Sequence, residues 1–316
     1  MPTFESLSTR VLVALIAIPL ILWLTMLGGY YFFFLIAVIS SLTLYEFYGL
    51  AETKGAAPLK TLGLVAGVII NAVFVYERFQ VDIYQFILTH WNIHLAMFSQ
   101  HQLLTVVLLK LLLLTMLIEL FRTKGSPIIN IATTISGVFI ISLCFGTLIF
   151  LRELFPYGFP VNKFFPTGYA DDLQFAQIYR WGGYTVIAVF ASIWMCDTAA
   201  YFGGSAFGRH RLFESVSPKK TWEGAACGFI FSVLTMIAAK ILVLGYLTFQ
   251  HAIVIGVLIG VFGQLGDLIE SRFKRDAGVK DSSKLIPGHG GMYDRFDSLV
   301  YISPIVYLYI DLVVQS

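Results

Sequence analysis

Apolar residues fill this chain in runs of roughly 17–24, separated by short polar intervals. A run of that length is what an α-helix needs to cross a hydrocarbon core of about 30 Å. Nine runs are legible, at residues 11–27, 30–50, 59–76, 103–121, 128–151, 184–202, 225–247, 252–269 and 298–314. They predict an all-α, polytopic integral membrane protein with about nine transmembrane helices, since a spanning helix satisfies its own backbone N–H and C=O groups. The first run follows a weakly charged residue 1–10 segment without a small-residue cleavage site, so it reads as a retained helix. Two segments fit the pattern poorly. Residues 79–102 are moderately apolar and carry His90 and His94 at helical spacing, a pair that could suit a metal but lacks an acidic partner between them. Residues 152–183, with three prolines and several aromatics, read as an outward-facing loop on the headgroups.

Composition agrees with the pattern. Of 316 residues 58% are hydrophobic and only 13% charged, which excludes an ordinary soluble domain. The net charge of +2 reflects segregation, not scarcity, and no nucleic-acid partner is expected. Fifteen of the 21 Lys and Arg residues fall on one side of the expected spans, four on the other, and Lys110 and Lys240 lie inside spans. By the positive-inside rule the N-terminus and the charged loops lie in the cytoplasm, in the cell (inner) membrane, and the C-terminus lies outside. Residues 1–180 then form N-terminal helices with the outward loop, and 181–316 a catalytic region with a cytoplasmic loop. Cys144, Cys196 and Cys227 sit in or beside apolar runs without metal-ligand spacing and read as small core residues.

Charge inside a bilayer costs a few kcal/mol unless paired or hydrated. Glu46, Lys110, Glu119 and Lys240 read as structural charges that pair with one another or snorkel. The stretch from Gly263 to Asp297 differs. It holds Asp267, Glu270, Asp276, Asp281, Asp294 and Asp297 beside Arg272, Lys274, Arg275, Lys280, Lys284, His289 and Arg295. Acids can hold cations there while Lys and Arg hold phosphate oxygens. Asp267, Ser271 and Lys274 share one helical face. Asp267 and Asp294 are the first candidates for metal ligands, with Asp197, Asp297 and Glu223 as further ones, and Asp197, Asp267 and Asp294 are expected at one depth. Ser217-Pro-Lys-Lys reads as a helix start, with Ser217 as cap and Lys219 and Lys220 as a phosphate seat. There is no P-loop and no dinucleotide fingerprint.

From Ser271 to Asp297 the residues SRFKRDAGVKDSSKLIPGHGGMYDRFD resemble the signature of the phosphatidate cytidylyltransferases (CDP-diacylglycerol synthases). Ser271, Lys274, Arg275, Lys280, Asp281, His289, Gly290, Gly291, Asp294, Arg295 and Asp297 all fall in register. WMCDTAAYFGGSAFG (residues 194–208) and SPKKTWEG (residues 217–224) are similar to the same family. The resemblance implies transfer of CMP from CTP to phosphatidate, with Asp267, Asp294, Lys274 and Ser271 at the reacting centre. It further implies Lys219, Lys220, Arg275, Lys280, His289 and Arg295 on the phosphates, a Mg²⁺ cofactor with room for a second cation, and a homodimer. A relative acting on another phospholipid, such as an archaeol or polyprenyl phosphate, and a polyanion transporter remain as alternatives.

Overall fold

Backbone groups in the first and last turns of a helix lack intrahelical partners, and among the described residues four helix starts carry a side-chain cap of their own. The computed structural model describes residues 4–93, 98–158, 160–161, 171–286, 288 and 290–316. Helices α1 (Phe4–Leu27), α2 (Gly29–Glu52), α3 (Lys60–Val73), α4 (Tyr76–Trp91) and α5 (Gln100–Phe121) come first. Helix α6 (Pro127–Gly137) runs through a π-helical turn, Val138–Leu143, into α7 (Cys144–Gly158). Helix α8 (Asp172–Phe207) leads to a small antiparallel hairpin, Arg211–Phe213 with Ser217–Thr221, in which Arg211 faces Thr221 and Phe213 faces Ser217. Then follow α9 (Trp222–Leu242), α10 (Phe249–Asp276) and α11 (Tyr293–Tyr309), the last closing in a π turn, Ile310–Val314. Ser99 and Gln102 form a capping box at α5, Asp171 and Gln174 another at α8, and Thr248 caps α10.

Among the described residues seven helices are long and apolar enough to cross a membrane, or eight if the bent pair α3–α4 counts as one span; residues 11–27 of α1 form a shorter apolar helix. The chain is therefore a polytopic, mostly helical membrane protein, and the runs read from the sequence map onto these elements with two corrections. The run at 59–76 is no single straight span: α3 ends at Val73 and α4 leaves it at 72°. Tight backbone bonds from Phe74 N to Asn71 O and Val75 N to Ala72 O close the break. Arg78 then turns toward Glu153 at 3.3 Å, and Tyr30 bonds Asp82, so the polar first half of α4 is held at the end of the bundle. His90 in α4 stacks on Phe86 and bonds the Phe86 carbonyl at 2.9 Å, while His94 lies outside the described residues. The second correction concerns residues 152–183, whose described parts are helical. Asp171, Asp172, Gln174 and Arg180 lower the hydropathy of a segment that is already the first turns of α8, a 36-residue helix of about 54 Å.

Side-chain bonds sort the helix ends into two layers. At one end Lys54 pairs with Asp276 at 3.4 Å, Arg122 donates to the Ala57 carbonyl at 2.5 Å, and Asn130 accepts from Ala57 N at 2.7 Å. Glu119, expected to pair with another intramembrane charge, bonds Arg122 and Asn130 there instead. Lys240 lies over the Phe249 ring at 5.2 Å, and Lys110 is exposed on α5. Between the layers a continuous core runs through Phe32, Ile36, Tyr48, Ile70, Phe145 and Val186.

The opposite end is held by Arg152. Its guanidinium is fully buried and donates from Nε to Thr25 O at 2.7 Å and from Nη2 to Met26 O at 3.0 Å. These carbonyls belong to the last turn of α1 and have no other helical donor. Glu153 accepts from Gly29 N at 2.7 Å, and Tyr179 reaches back to Leu27 O at 2.9 Å under the guanidinium. One arginine thus closes α1, while its neighbour opens α2. Arg152→Leu is expected to lower stability by about 3–5 kcal/mol, the cost of breaking a buried ionic contact by removing one partner. Reversible unfolding in detergent measures it, and a change below about 1 kcal/mol would remove this arginine from its structural role.

Candidate active site

Helix α10 carries Asp267, Glu270, Ser271 and Lys274 at steps of three and four, so the four side chains line one face. Helix α11 packs against it through a bond from Ser298 Oγ to Gly263 O at 3.0 Å, bringing Asp294 and Asp297 to the same level. Asp267, Glu270 and Asp297 each offer an oxygen within 4.8 Å of the others. Glu270 is 1% exposed, and its Oε1 makes no hydrogen bond among the described residues. A buried carboxylate oxygen without a donor, beside two more carboxylates, suits a hard divalent cation that prefers oxygen ligands. The chemistry of these residues fits a divalent cation. Asp197 of α8 interacts electrostatically with Asp267, Asp297, Lys220 and Arg295, while the acids that gather within 4.8 Å are Asp267, Glu270 and Asp297.

Cations answer the acids. Lys220 stands 2.5 Å from Asp267 Oδ2. Lys274, 9% exposed, lies between Glu270 Oε2 at 2.7 Å and Asp294 Oδ1 at 2.6 Å. Ser271 Oγ donates to Asp267 Oδ1 at 3.3 Å, fixing the carboxylate from one turn below. The acidic and basic residues of the sequence stretch therefore interleave, with Lys274 joining α10 to α11.

Several expected roles change. Asp294, first considered beside Asp267 as a metal ligand, has Oδ1 on Lys274 and accepts at Oδ2 from Ser282 N, Ser282 Oγ and Gly291 N at 2.7–2.9 Å. These bonds brace the loop, and the acids that gather with Asp267 are Glu270 and Asp297. Glu223 bonds His210 Nδ1 at 2.6 Å and the Arg209 and His210 amides, closing the turn before the hairpin, and does not enter the cluster. Ser217 is no helix cap. Residues Ser217–Thr221 form the second strand of the hairpin, and Thr221 caps α9 by accepting from Gly224 N at 3.2 Å. Pairing of Thr221 with Arg211 claims this backbone for the ladder, so the helix cannot begin until Trp222. The strand nevertheless delivers Lys220 to the acids and leaves Lys219 exposed beside it. Arg275 donates to Val216 O at 3.4 Å and Val279 O at 3.1 Å, tying the hairpin to the end of α10. Lys280 and Arg295 are exposed at this end, and His289 lies outside the described residues. Glu270 was legible as the partner of Asp267 at i+3 and of Lys274 at i+4. Glu46 carried no comparable signal, because its partners are more than 230 residues away.

Comparison with known proteins adds to the geometry. A model of the Cytidylyltransferase family matches residues 8–313. The chain is 35% identical to the phosphatidate cytidylyltransferase of Synechocystis over 308 residues, covering 95% of both chains. It is 41% identical to that of Staphylococcus saprophyticus over 125 residues, 40% of this chain and 48% of the relative. For the Staphylococcus aureus protein the identity is 38% over 135 residues, 43% and 51% of the two chains.

Lys274 is the charge on which this geometry rests. Its removal leaves Glu270 and part of Asp294 buried without a counter-charge, so Lys274→Met should destabilise the fold by about 3–5 kcal/mol. Thermal unfolding of the purified variant checks this. Unaltered unfolding would mean that the two carboxylates find other partners.

Proposed function

The chain belongs to the cytidylyltransferase family, and on that premise we propose that its acidic cluster and the surrounding cations hold CTP and phosphatidate around Mg²⁺. The reaction follows from membership and from near-full-length identity: the chain is a phosphatidate cytidylyltransferase, moving CMP from CTP to phosphatidate and releasing diphosphate. One observation carries the site assignment, the approach of Asp267, Glu270 and Asp297 oxygens to within 4.8 Å beside a buried Glu270 Oε1 that has no donor among the described residues.

In the proposed mechanism Asp267, Glu270 and Asp297 would hold the cation, and Asp197, which interacts electrostatically with Asp267, would be a candidate ligand for a second one. When bound, Mg²⁺ supplies electrostatic stabilisation of charge on the phosphate oxygens. Ser271 keeps Asp267 in its rotamer. Lys219, Lys220, Arg275, Lys280, His289 and Arg295 are the phosphate ligands of this reading, and Lys219, Lys280 and Arg295 are supported by their exposure at the same end. A phosphatidate oxygen attacks the α-phosphorus in line. The new P–O bond forms as the bond from the α-phosphorus to the bridging oxygen breaks, and diphosphate leaves with that electron pair. No general base is required, because a phosphate monoester is already largely ionised at neutral pH. Lys274 keeps Glu270 and Asp294 in place and neutralises them.

The same reading assigns residues 181–316 as the catalytic region, the basic end of the bundle to the cytoplasm where CTP resides, and the chain to the inner membrane as a homodimer. Charge asymmetry supports the orientation, and family resemblance supports the dimer.

Two measurements test the proposal. Asp267→Asn keeps the size of the side chain and removes its charge, and should lower transfer of label from α-³²P-CTP to phosphatidate by at least about 10²-fold, the scale of losing one electrostatic stabiliser. Near-normal transfer at ordinary Mg²⁺ would sink the metal assignment. For orientation, a cysteine replacing exposed Lys284 should react only with cytoplasm-admitted reagents, and one replacing Ser316 only from outside. Labelling of both from one side would reverse or break the assigned topology.

A further inference from the structure

Helix α11 begins without a cap of its own: Met292, the residue before it, makes no side-chain cap bond. Its first amides are met from a distant element. Glu46, in the last two turns of α2, accepts from Met292 N at 2.9 Å and from Tyr293 N at 2.8 Å. The same carboxylate accepts from Ser282 Oγ at 2.9 Å and from Ser283 Oγ at 2.6 Å. It is 5% exposed, and four donors satisfy its two oxygens. A carboxylate at a helix N-terminus is favoured by the free N–H groups and the partial positive charge there. The charge that the sequence reading expected to pair with an intramembrane lysine is instead an N-cap supplied in trans.

These bonds continue toward the acidic cluster. Ser282 donates both N and Oγ to Asp294 Oδ2, Asp294 Oδ1 holds Lys274, and Lys274 holds Glu270. The two glycines after His289 are shaped by the same carboxylates. Gly290 has φ +84°, and a Cβ there would stand 2.8 Å from Asp294 Oδ2. A Cβ on Gly291 would strike Ser282 Oγ and lie 2.5 Å from Glu46 Oε2. The close approach that a Gly-Gly pair permits is thus to Glu46 and Asp294.

We infer that Glu46 is a positioning residue for the transfer reaction, setting the signature loop and the start of α11 so that Lys274 and Glu270 are held in register with Asp267 and Asp297. The inference rests on the proposed site. Glu46 touches none of the metal-cluster oxygens; it acts through Ser282 and Asp294. Glutamine at this position keeps the volume but replaces one accepting oxygen with a donor, so at least one of the bonds from Tyr293 N, Met292 N or the two serines is lost.

The test uses the full chain in detergent–phospholipid micelles, with three readouts. Hydrogen exchange in residues 279–293 should quicken about tenfold or more in Glu46→Gln, the scale of losing a charge-assisted bond, with the Arg152 end unchanged. Per folded molecule, kcat/KM for CTP should fall by about 10–100-fold, as when a supporting partner of a metal site is removed. In a Ser282→Ala background the same change should cost less than about threefold, because coupled residues are not additive. Activity within about twofold of wild type, or full multiplication of the two losses, would overturn the inference. Should Glu46→Gln not accumulate, Ser283→Ala removes a single bond to Glu46. It should quicken loop exchange and reduce kcat/KM, and unchanged values in both would equally reject the role. A wild-type chain unable to transfer CMP would count against the proposed function, and the exchange result would still decide whether Glu46 sets the loop.

Discussion

A lysine ammonium held between two carboxylates inside a helical bundle constrains everything around it. Lys274 meets Glu270 and Asp294 at 2.6–2.7 Å, almost out of water. Ions in that setting are tolerated only when each is paired and its remaining hydrogen-bonding capacity is filled. Asp294 must therefore find donors, and it takes them from the loop at Ser282 and Gly291. The loop in turn needs an acceptor for its serines and for the open start of α11, and Glu46 supplies it. Among the described residues Glu270 Oε1 is left without a donor, in the group it forms with Asp267 and Asp297. Full satisfaction on one side and an unmet oxygen on the other point the cluster toward an incoming cation.

The two ends of the bundle use the same physics for different purposes. At the far end Arg152 and Glu153 cap the close of α1 and the opening of α2, and that network is spent on backbone groups. At the end that carries the acidic cluster, the hairpin, the signature loop and the start of α11 supply cations that remain exposed, Lys219, Lys280 and Arg295 among them. The difference explains why one charged end of a membrane protein is read as structural and the other as chemical.

The transmembrane character and the chemical stretch were legible early, for local reasons. Hydropathy runs report burial in lipid directly, and Asp267, Ser271 and Lys274 share a face by helical spacing alone. Boundaries were lost where polar residues belong to a helix, as at Asp171–Gln174 before α8, or where a helix turns without proline or glycine, as at Phe74 and Val75. Ser217-Pro-Lys-Lys misled because a cap signal and a strand share the same residues, and cross-strand pairing with Arg211 decided between them. The spacing of Asp294 in α11 says nothing of what faces it, and its bonds to Lys274, Ser282 and Gly291 are set by packing.

By itself the sequence determined the membrane class, the sorting of basic residues, and the segment in which acids and bases are concentrated, since each depends on composition or on spacing within one helix. Tertiary structure alone decided which acids approach one another. Asp267 and Glu270 come from one helix, but Asp297 comes from another, and Asp294 beside it is claimed by Lys274. It also decided the partner of Glu46, because a hydrogen bond between residues 236–247 positions apart leaves no periodicity to read. Desolvation requires that a buried carboxylate find donors, and only the packing of α2 against α11 determines which donors those are.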